Sequence, residues 1–243
     1  MVRFTFENGR TAEAIRLGDS TDLAVALRQI QLFPPHPVIV VVGGASGLEE
    51  SDLNHLRPLF VRGLIPVAER LSAVVVDGGT DSGVMRLIGQ EHAERGAKFP
   101  LIGVAVADKV AAPDTVPSDP TAIQLEPHHT HFVLVPGAKW GDESPWLARV
   151  ASLLVGNLPS MTVLANGGNI AWQDVSESIG SGRPVLVIGG SGRTADILAN
   201  ALHGQVTDGR AGALVASGLV RSIDVTEGFD ALSQALLSTL TLR

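Results

Sequence analysis

"PVLVIGGSGRTADILAN", residues 184–200, changes character twice. Residues 184–188 are an apolar, largely β-branched run of strand length. Gly189 and Gly190 break it. From Ser191, read as a helix N-cap, apolar residues recur at Ala195, Leu198, Ala199 and Leu202 until Gly204. That spacing is one face of a helix with a glycine stop. A continuous apolar run, rather than an alternating one, predicts a strand covered on both faces, as in a parallel sheet between helix layers. The unit strand–glycine turn–helix therefore decides the fold.

Working outward, the unit recurs. Residues 38–42, "VIVVV", lead into "GGASG"; 73–77, "AVVVD", into "GGTDSG"; and 161–165, "MTVLA", into "NGG". A helix over 83–95 carries Val84, Leu87 and Ile88 and stops at Gly96. Another follows Gly168 and stops near Gly180. A third, 144–157, opens on Ser144-Pro145, a cap followed by proline at the first helical position. Pro58 and Pro66 predict that 52–71 is a short turn and then a second helix kinked near Arg62. Further strands are expected at 101–106, 132–135 and 219–225, with a closing helix at 227–240. The alternating start "MVRFTFENGR" also reads as a strand. Residues 107–130 hold four prolines and no helical period. They read as an insertion at the sheet's edge or over its mouth. The fold expected is α/β, a doubly wound, mostly parallel sheet with helices on both faces, in a single domain over 1–243.

Composition removes several function classes. The net charge is −7 and no Lys/Arg run occurs, so nucleic acid is not the expected partner. No apolar run approaches the ~20 residues of a membrane span, and the N-terminus lacks a signal peptide's apolar core; a cytoplasmic protein is expected. With no cysteine, disulfides, thiolate metal sites and cysteine nucleophiles are excluded.

All four glycine turns lead from strand to helix, so they converge at one end of the sheet, where doubly wound folds bind ligands. Glycine permits close approach, and helix N-termini offer N–H donors and positive dipole to phosphates. Neither G-x-G-x-x-G nor G-x-x-x-x-G-K-[ST] is present, which weakens hydride and kinase-like phosphoryl transfer. Arg193, in the first turn of its helix, opposes the dipole. It is expected to face an anionic ligand, the alternative being an ion pair with Asp196. Arg149 flanks an apolar stripe and is equally readable as a ligand contact or a solvated surface arginine. The run "EPHHTHF" groups His128, His129 and His131 without a further ligand at metal-site spacing; hydrogen bonding is the preferred role, and no metal site is expected. Asp174 is the only acid near the turn at 166–168 and the one candidate for acid chemistry.

Taken in order, "VVGGASGL", "VVVDGGTDSGVMRLIGQ", "LIGVAV", "LEPHHTHFVLVPG", "VLANGG" and "PVLVIGGSGRTADILA" resemble the SLOG domain of melastatin-type TRP channels, the LSDAT branch. The resemblance covers about residues 38–203. It implies a Rossmann-like fold, no required cofactor and a nucleotide-derived ligand of the ADP-ribose or NAD-related kind. Ligand phosphates and ribose would then lie near Gly43, Gly44 and Ala45, near Gly78, Gly79, Thr80 and Gly83, and near Gly167, Gly168 and Asn169. The family's "GSGR" element is Gly190, Ser191, Gly192 and Arg193, and Arg149 falls where channel relatives carry arginines. Self-association and a fused or separate effector are also implied. The enzyme relatives, LOG phosphoribohydrolases, carry "PGGxGTxxE". Here that segment keeps Gly167 and Gly168 but has Ile170-Ala171 for Gly-Thr and Asp174 for Glu. N-glycosidic hydrolysis is thus the alternative to simple ligand binding.

Overall fold

Nine strands form one sheet, and its interior members are the continuous apolar runs of the sequence. The computed structural model describes residues 1–18, 21–45, 48–113, 115 and 119–241. A hairpin of β1 (Val2–Thr5) and β2 (Thr11–Arg16) is followed by α1 (Leu23–Gln29) and β3 (Val38–Gly43). Next come α2 (Glu50–Leu59), a π-helical turn (Phe60–Leu64), α3 (Ile65–Leu71), β4 (Val74–Asp77), α4 (Gly83–Glu94) and β5 (Leu101–Val106). A short pair, β6 (Val110–Ala111) and β7 (Ile123–Gln124), precedes β8 (His131–Val135), α5 (Ser144–Val155) and β9 (Ser160–Ala165). The chain ends with α6 (Asn169–Gly180), β10 (Val185–Gly189), α7 (Arg193–Leu202), α8 (Gly209–Val215), β11 (Val220–Asp224) and α9 (Gly228–Leu240).

The strand order is β1-β2-β8-β5-β4-β3-β9-β10-β11. Only the β1–β2 pair in this sheet is antiparallel. The chain builds from β3 through β4 and β5 to β8, then returns to lay β9 on the other side of β3. The order therefore reverses between β3 and β9, where Gly43 lies opposite Ala165. Ligands of doubly wound sheets bind outside the carboxyl ends of strands at such a reversal.

The valine run of β3 shows why the strands carry no polar face. Val38, Val40 and Val42 belong to one apolar layer with residues of α1, α5, α6 and α7, while Ile39 and Val41 belong to a second with residues of α2, α3, α4 and α9. The fold is thus the expected Rossmann-like α/β arrangement. Among the described residues, no helix is long and apolar enough to cross a membrane.

Local details correct the sequence reading. The start of the chain is a hairpin, not one strand, with Gly9 in the left-handed region at its turn (φ +77°). Helices α1 and α8 were not anticipated, although Asp22 caps α1 by accepting from Ala24 and Val25 N–H. No turn interrupts 52–71: the helix continues, and the π turn absorbs the prolines, with Ile65 N–H donating to Phe60 O. Ser144 and Ser191 cap no helix; the N-cap positions fall to Glu143 and Gly192. The end of the expected insertion meets the second glycine turn: Thr80 bridges to Leu125, and Asp81 N–H donates to Gln124 O at 2.8 Å.

That insertion is latched by a buried ionic cluster. His129 Nε2 is 2.9 Å from Asp77 Oδ1, and its Nδ1 is 2.8 Å from Glu126 Oε2. Glu126 also accepts from His128 N–H, and its own N–H donates to Gly79 O. Gly79 N–H in turn donates to Asp77 Oδ1 at 2.7 Å. Gly89 of α4 must be glycine beside this cluster, because a Cβ there would lie 2.0 Å from Glu126 Oε2. Burial disfavours a charged imidazole, but Asp77 and Glu126 outweigh it and raise the His129 pKa to about 10. Removing the imidazolium would leave two buried carboxylates unneutralised. His129→Ala is expected to cost about 3–5 kcal/mol at pH 7 in urea denaturation. Because the folded pKa lies above the ordinary 6.5, His129's contribution should be full below that value and fade as pH rises through about 10.

Candidate functional site

The four glycine turns do gather at the carboxyl end of the sheet, but they do not do the same thing there. At the first, Gly44 O accepts from Val84 N–H at 3.1 Å, so the turn itself closes one donor of α4. A Cβ on Gly83 would lie 1.9 Å from Gly44 O, and one on Gly43 would lie 2.5 Å from Val84 Cγ2. These glycines let turn and helix interlock. At the second, a Cβ on Gly79 would meet Gly103 Cα at 2.6 Å, again a packing constraint.

The fourth turn is closed by its own chain. Asp196 Oδ1 accepts from Gly190 N–H (2.7 Å) and Gly192 N–H (3.1 Å). Thr194 and Ala195 N–H donate to Gly167 O and Asn166 O. Ser191 Oγ accepts from Asn166 N–H and donates to Ile188 O, tying the third turn to the fourth. The Asp196 carboxylate thus serves the turn's backbone.

The third turn is different. The N–H groups of Asn169 and Ile170, at the amino end of α6, find no acceptor among the described residues. Beside them lies the Arg193 guanidinium, with Nη2 3.1 Å from where a Gly168 Cβ would stand. Arg193 takes this position with a left-handed backbone, φ +53°, a conformation costing roughly 1–2 kcal/mol for a non-glycine residue. Such strain is typical of residues held for a function.

These groups line one cavity of about 290 Å³ at the β3–β9 reversal. Of the residues expected to contact a ligand, Gly43, Ala45, Gly78, Thr80, Gly168, Asn169 and Arg193 line it. Gly44, Gly79, Gly83, Gly167, Ser191 and Gly192 stand behind that lining, and Gly190 opens on a separate hollow beside β11. Arg149 lies outside: it is exposed and stacks on Trp146, 4.7 Å from the ring centroid. The apolar wall of Val41, Met85, Ile123, Trp140 and Leu147 went unread because no motif announces it. Neither did any mark Glu143.

Glu143 and Asp174 form the acidic end. Glu143 is buried, accepts from Gly141 N–H at 2.8 Å, and is pushed up in pKa by that burial. Burial, reinforced by Glu143 and Glu177 and opposed by the Ser144 hydroxyl, raises Asp174 to about 7. Asp174 Oδ1 and Ser144 Oγ are enclosed without a hydrogen bond of normal geometry. The histidine run lies away from this chemistry. His129 is spent on its two carboxylates, while His131 faces Thr130 and is lowered to about 4 by burial.

An aspartate held protonated in the fold but ionised when unfolded weakens the protein as pH rises from about 4 to about 7. Asp174→Asn should remove that slope. The expected outcome at pH 8 is a gain of about 2 kcal/mol, read as a Tm increase of roughly 4–8 °C; an unchanged Tm profile between pH 4 and 8 would contradict the burial of this acid.

The family model described as "SLOG in TRPM, prokaryote" matches residues 36–233. A transient receptor potential cation channel subfamily M member-like 2 protein of Nematostella vectensis is 28% identical, over 78% of this chain and 15% of its own length. A transient receptor potential channel of Caenorhabditis elegans is 27% identical, over 87% of this chain and 12% of its own. Subfamily M member 2 of Mus musculus is 23% identical, over 82% of this chain and 16% of its own. The chain thus spans well under a fifth of the length of these channel relatives. With a match across most of its length and the motif-bearing turns inside it, this chain belongs to the SLOG family of TRPM-type domains, prokaryotic branch.

Proposed function

We propose that this domain binds a nucleotide-derived small molecule of the ADP-ribose or NAD-related class, as a sensor rather than as a catalyst. The carrying observation is the amino end of α6: two N–H groups without an acceptor among the described residues, and the Arg193 guanidinium beside them, at the cavity of the strand-order reversal. Helix dipole and fork-shaped cation both favour a phosphate there. The apolar wall with Trp140 suits a base, and a cavity of this size is at the small end for ligand sites, fitting a mononucleotide body. Ligand capture would shift a conformational population in a cytoplasmic homo-oligomer, read by a fused or separate effector.

Calorimetry with ADP-ribose, NAD, AMP and cyclic nucleotides tests this. At least one should release heat, and Arg193→Gly should weaken it by tenfold or more, about the loss of one charged hydrogen-bonding partner. Because φ is +53°, glycine fits this position, and the variant should keep its fold. No heat for any of the compounds would sink the proposal.

A second reading has one observation in its favour. Asp174 lines the same cavity and holds its proton up to about 7, as a general acid requires. In that reading the domain cleaves the N-glycosidic bond of a nucleoside monophosphate. Free base should then appear on incubation and vanish in Asp174→Asn while ligand binding persists; absence of released base removes this reading.

A further inference from the structure

We propose that the outer side of α5, together with the loop after α1, is a docking surface for an acidic amphipathic helix of a partner protein. This surface lies outside the cavity and does not depend on the ligand reading.

Helix α5 turns Leu147, Val150, Ala151 and Leu154 into the core. Trp146, Arg149 and Leu153 follow one another at steps of three and four residues along a second side. The exposed Arg149 guanidinium stacks on Trp146, and Leu153 is 38% exposed. The loop after α1 is pinned at the end of this stripe. His36 N–H donates to Leu154 O at 2.9 Å, and Pro35 Cβ lies 3.2 Å from where a Gly156 Cβ would stand. Phe33, two residues before Pro35, is 56% exposed. Apolar side chains grouped in water, with Trp and Arg among them, have the composition of an interface core.

The charge of this surface is the reverse of the chain's. Residues 23–48 and 144–173 supply it, and neither stretch contains an Asp or Glu, although the chain has 25 and a net charge of −7. Arg28 and Arg149, the Lys/Arg residues of these stretches, are both exposed. Glu143 and Asp174, which bound the second stretch, line the cavity instead. A third cation lies behind α5. Arg183 is 2% exposed, and its Nη2 donates to Ser152 Oγ at 3.0 Å and to Ala148 O at 3.3 Å. Its Nη1 has no hydrogen-bond partner, and no carboxylate pairs with it among the described residues. A charge enclosed in this way is poorly screened, so its field adds to that of Arg149 on the exposed side of Ser152.

A helix with apolar residues at i, i+3 or i+4 and i+7 covers such a stripe, and Asp or Glu beside them meets the cations. A second copy in a two-fold contact would instead set one acid-free, cationic face against another. Anionic lipid is held by clusters of about four to eight cations, whereas Arg28 and Arg149 are two.

The test is a selection of random peptides of ~20 residues, long enough to fold as helices, displayed on phage and panned on the full chain. Binders should be rich in Asp and Glu, with apolar residues at helical spacing. Synthetic copies of them should bind the double variant Phe33→Ser, Leu153→Ser at least about tenfold more weakly, and Arg149→Glu likewise. All three side chains are exposed, so both variants should melt with the unaltered chain; should one not, the other carries the comparison. Binders without an acidic excess, or binders that hold both variants as tightly as the unaltered chain, overturn the proposal. So does light scattering that finds a dimer in the unaltered chain and a monomer in the double variant, since the face is then a self-contact. Co-sedimentation with vesicles of phosphatidylcholine and phosphatidylserine, lost in Arg149→Glu, overturns it in favour of a membrane. No nucleotide enters these measurements, so the ligand reading stands or falls separately.

Discussion

The buried imidazolium of His129 ties together parts of the chain that lie far apart in sequence. It joins Asp77, at the carboxyl end of β4, to Glu126, at the end of the insertion, across 2.9 and 2.8 Å. Because Gly79 N–H donates to Asp77 Oδ1 and Gly79 O accepts from Glu126 N–H, the second glycine turn and the end of the insertion become one unit. Gly78 and Thr80 on that turn and Ile123 on the insertion then form adjacent walls of the cavity. A hydrophobic core could supply as much stability without ions. What the ionic cluster adds is position: three charges without water between them fit one arrangement, and that arrangement fixes the mouth of the site.

Much of the fold was legible because its signal is strong and local. A parallel strand covered on both faces has no reason to carry a polar residue, so β3, β4, β9 and β10 appear in the sequence as uninterrupted Val/Ile/Leu runs. Elements decided by longer-range packing were less visible. Helix α8 buries only Ala211, too little to produce a periodic stripe. The π turn at Phe60–Leu64 is an adjustment to two prolines that reads, locally, like a helix break. Ser144 and Ser191 have the composition of N-caps, yet neither caps its helix: Ser191 is claimed by the carbonyl of Ile188 and the N–H of Asn166, and Ser144 Oγ is enclosed instead.

The site was legible only in part, for a related reason. A glycine doublet after a strand looks the same whether its helix end is open to a ligand or closed by the protein. Here the α7 end is closed by Asp196, Asn166 and Gly167, and the first turn's Gly44 carbonyl engages α4. Only a partner far along the chain decides which case holds. Arg193 shows the consequence. Its own helix end is already satisfied, and its guanidinium lies beside Gly168 at the neighbouring α6. The cation and the like-signed helix end beside it belong to different glycine turns, and neither turn alone would announce the pair.

The same division explains why the cavity carries its costs where it does. A left-handed arginine, an aspartate kept from ionising and a serine hydroxyl without a good partner all work against stability. All three lie at or beside one cavity. The large apolar layers on both faces of the sheet supply the margin that lets the site keep groups that folding alone would not favour.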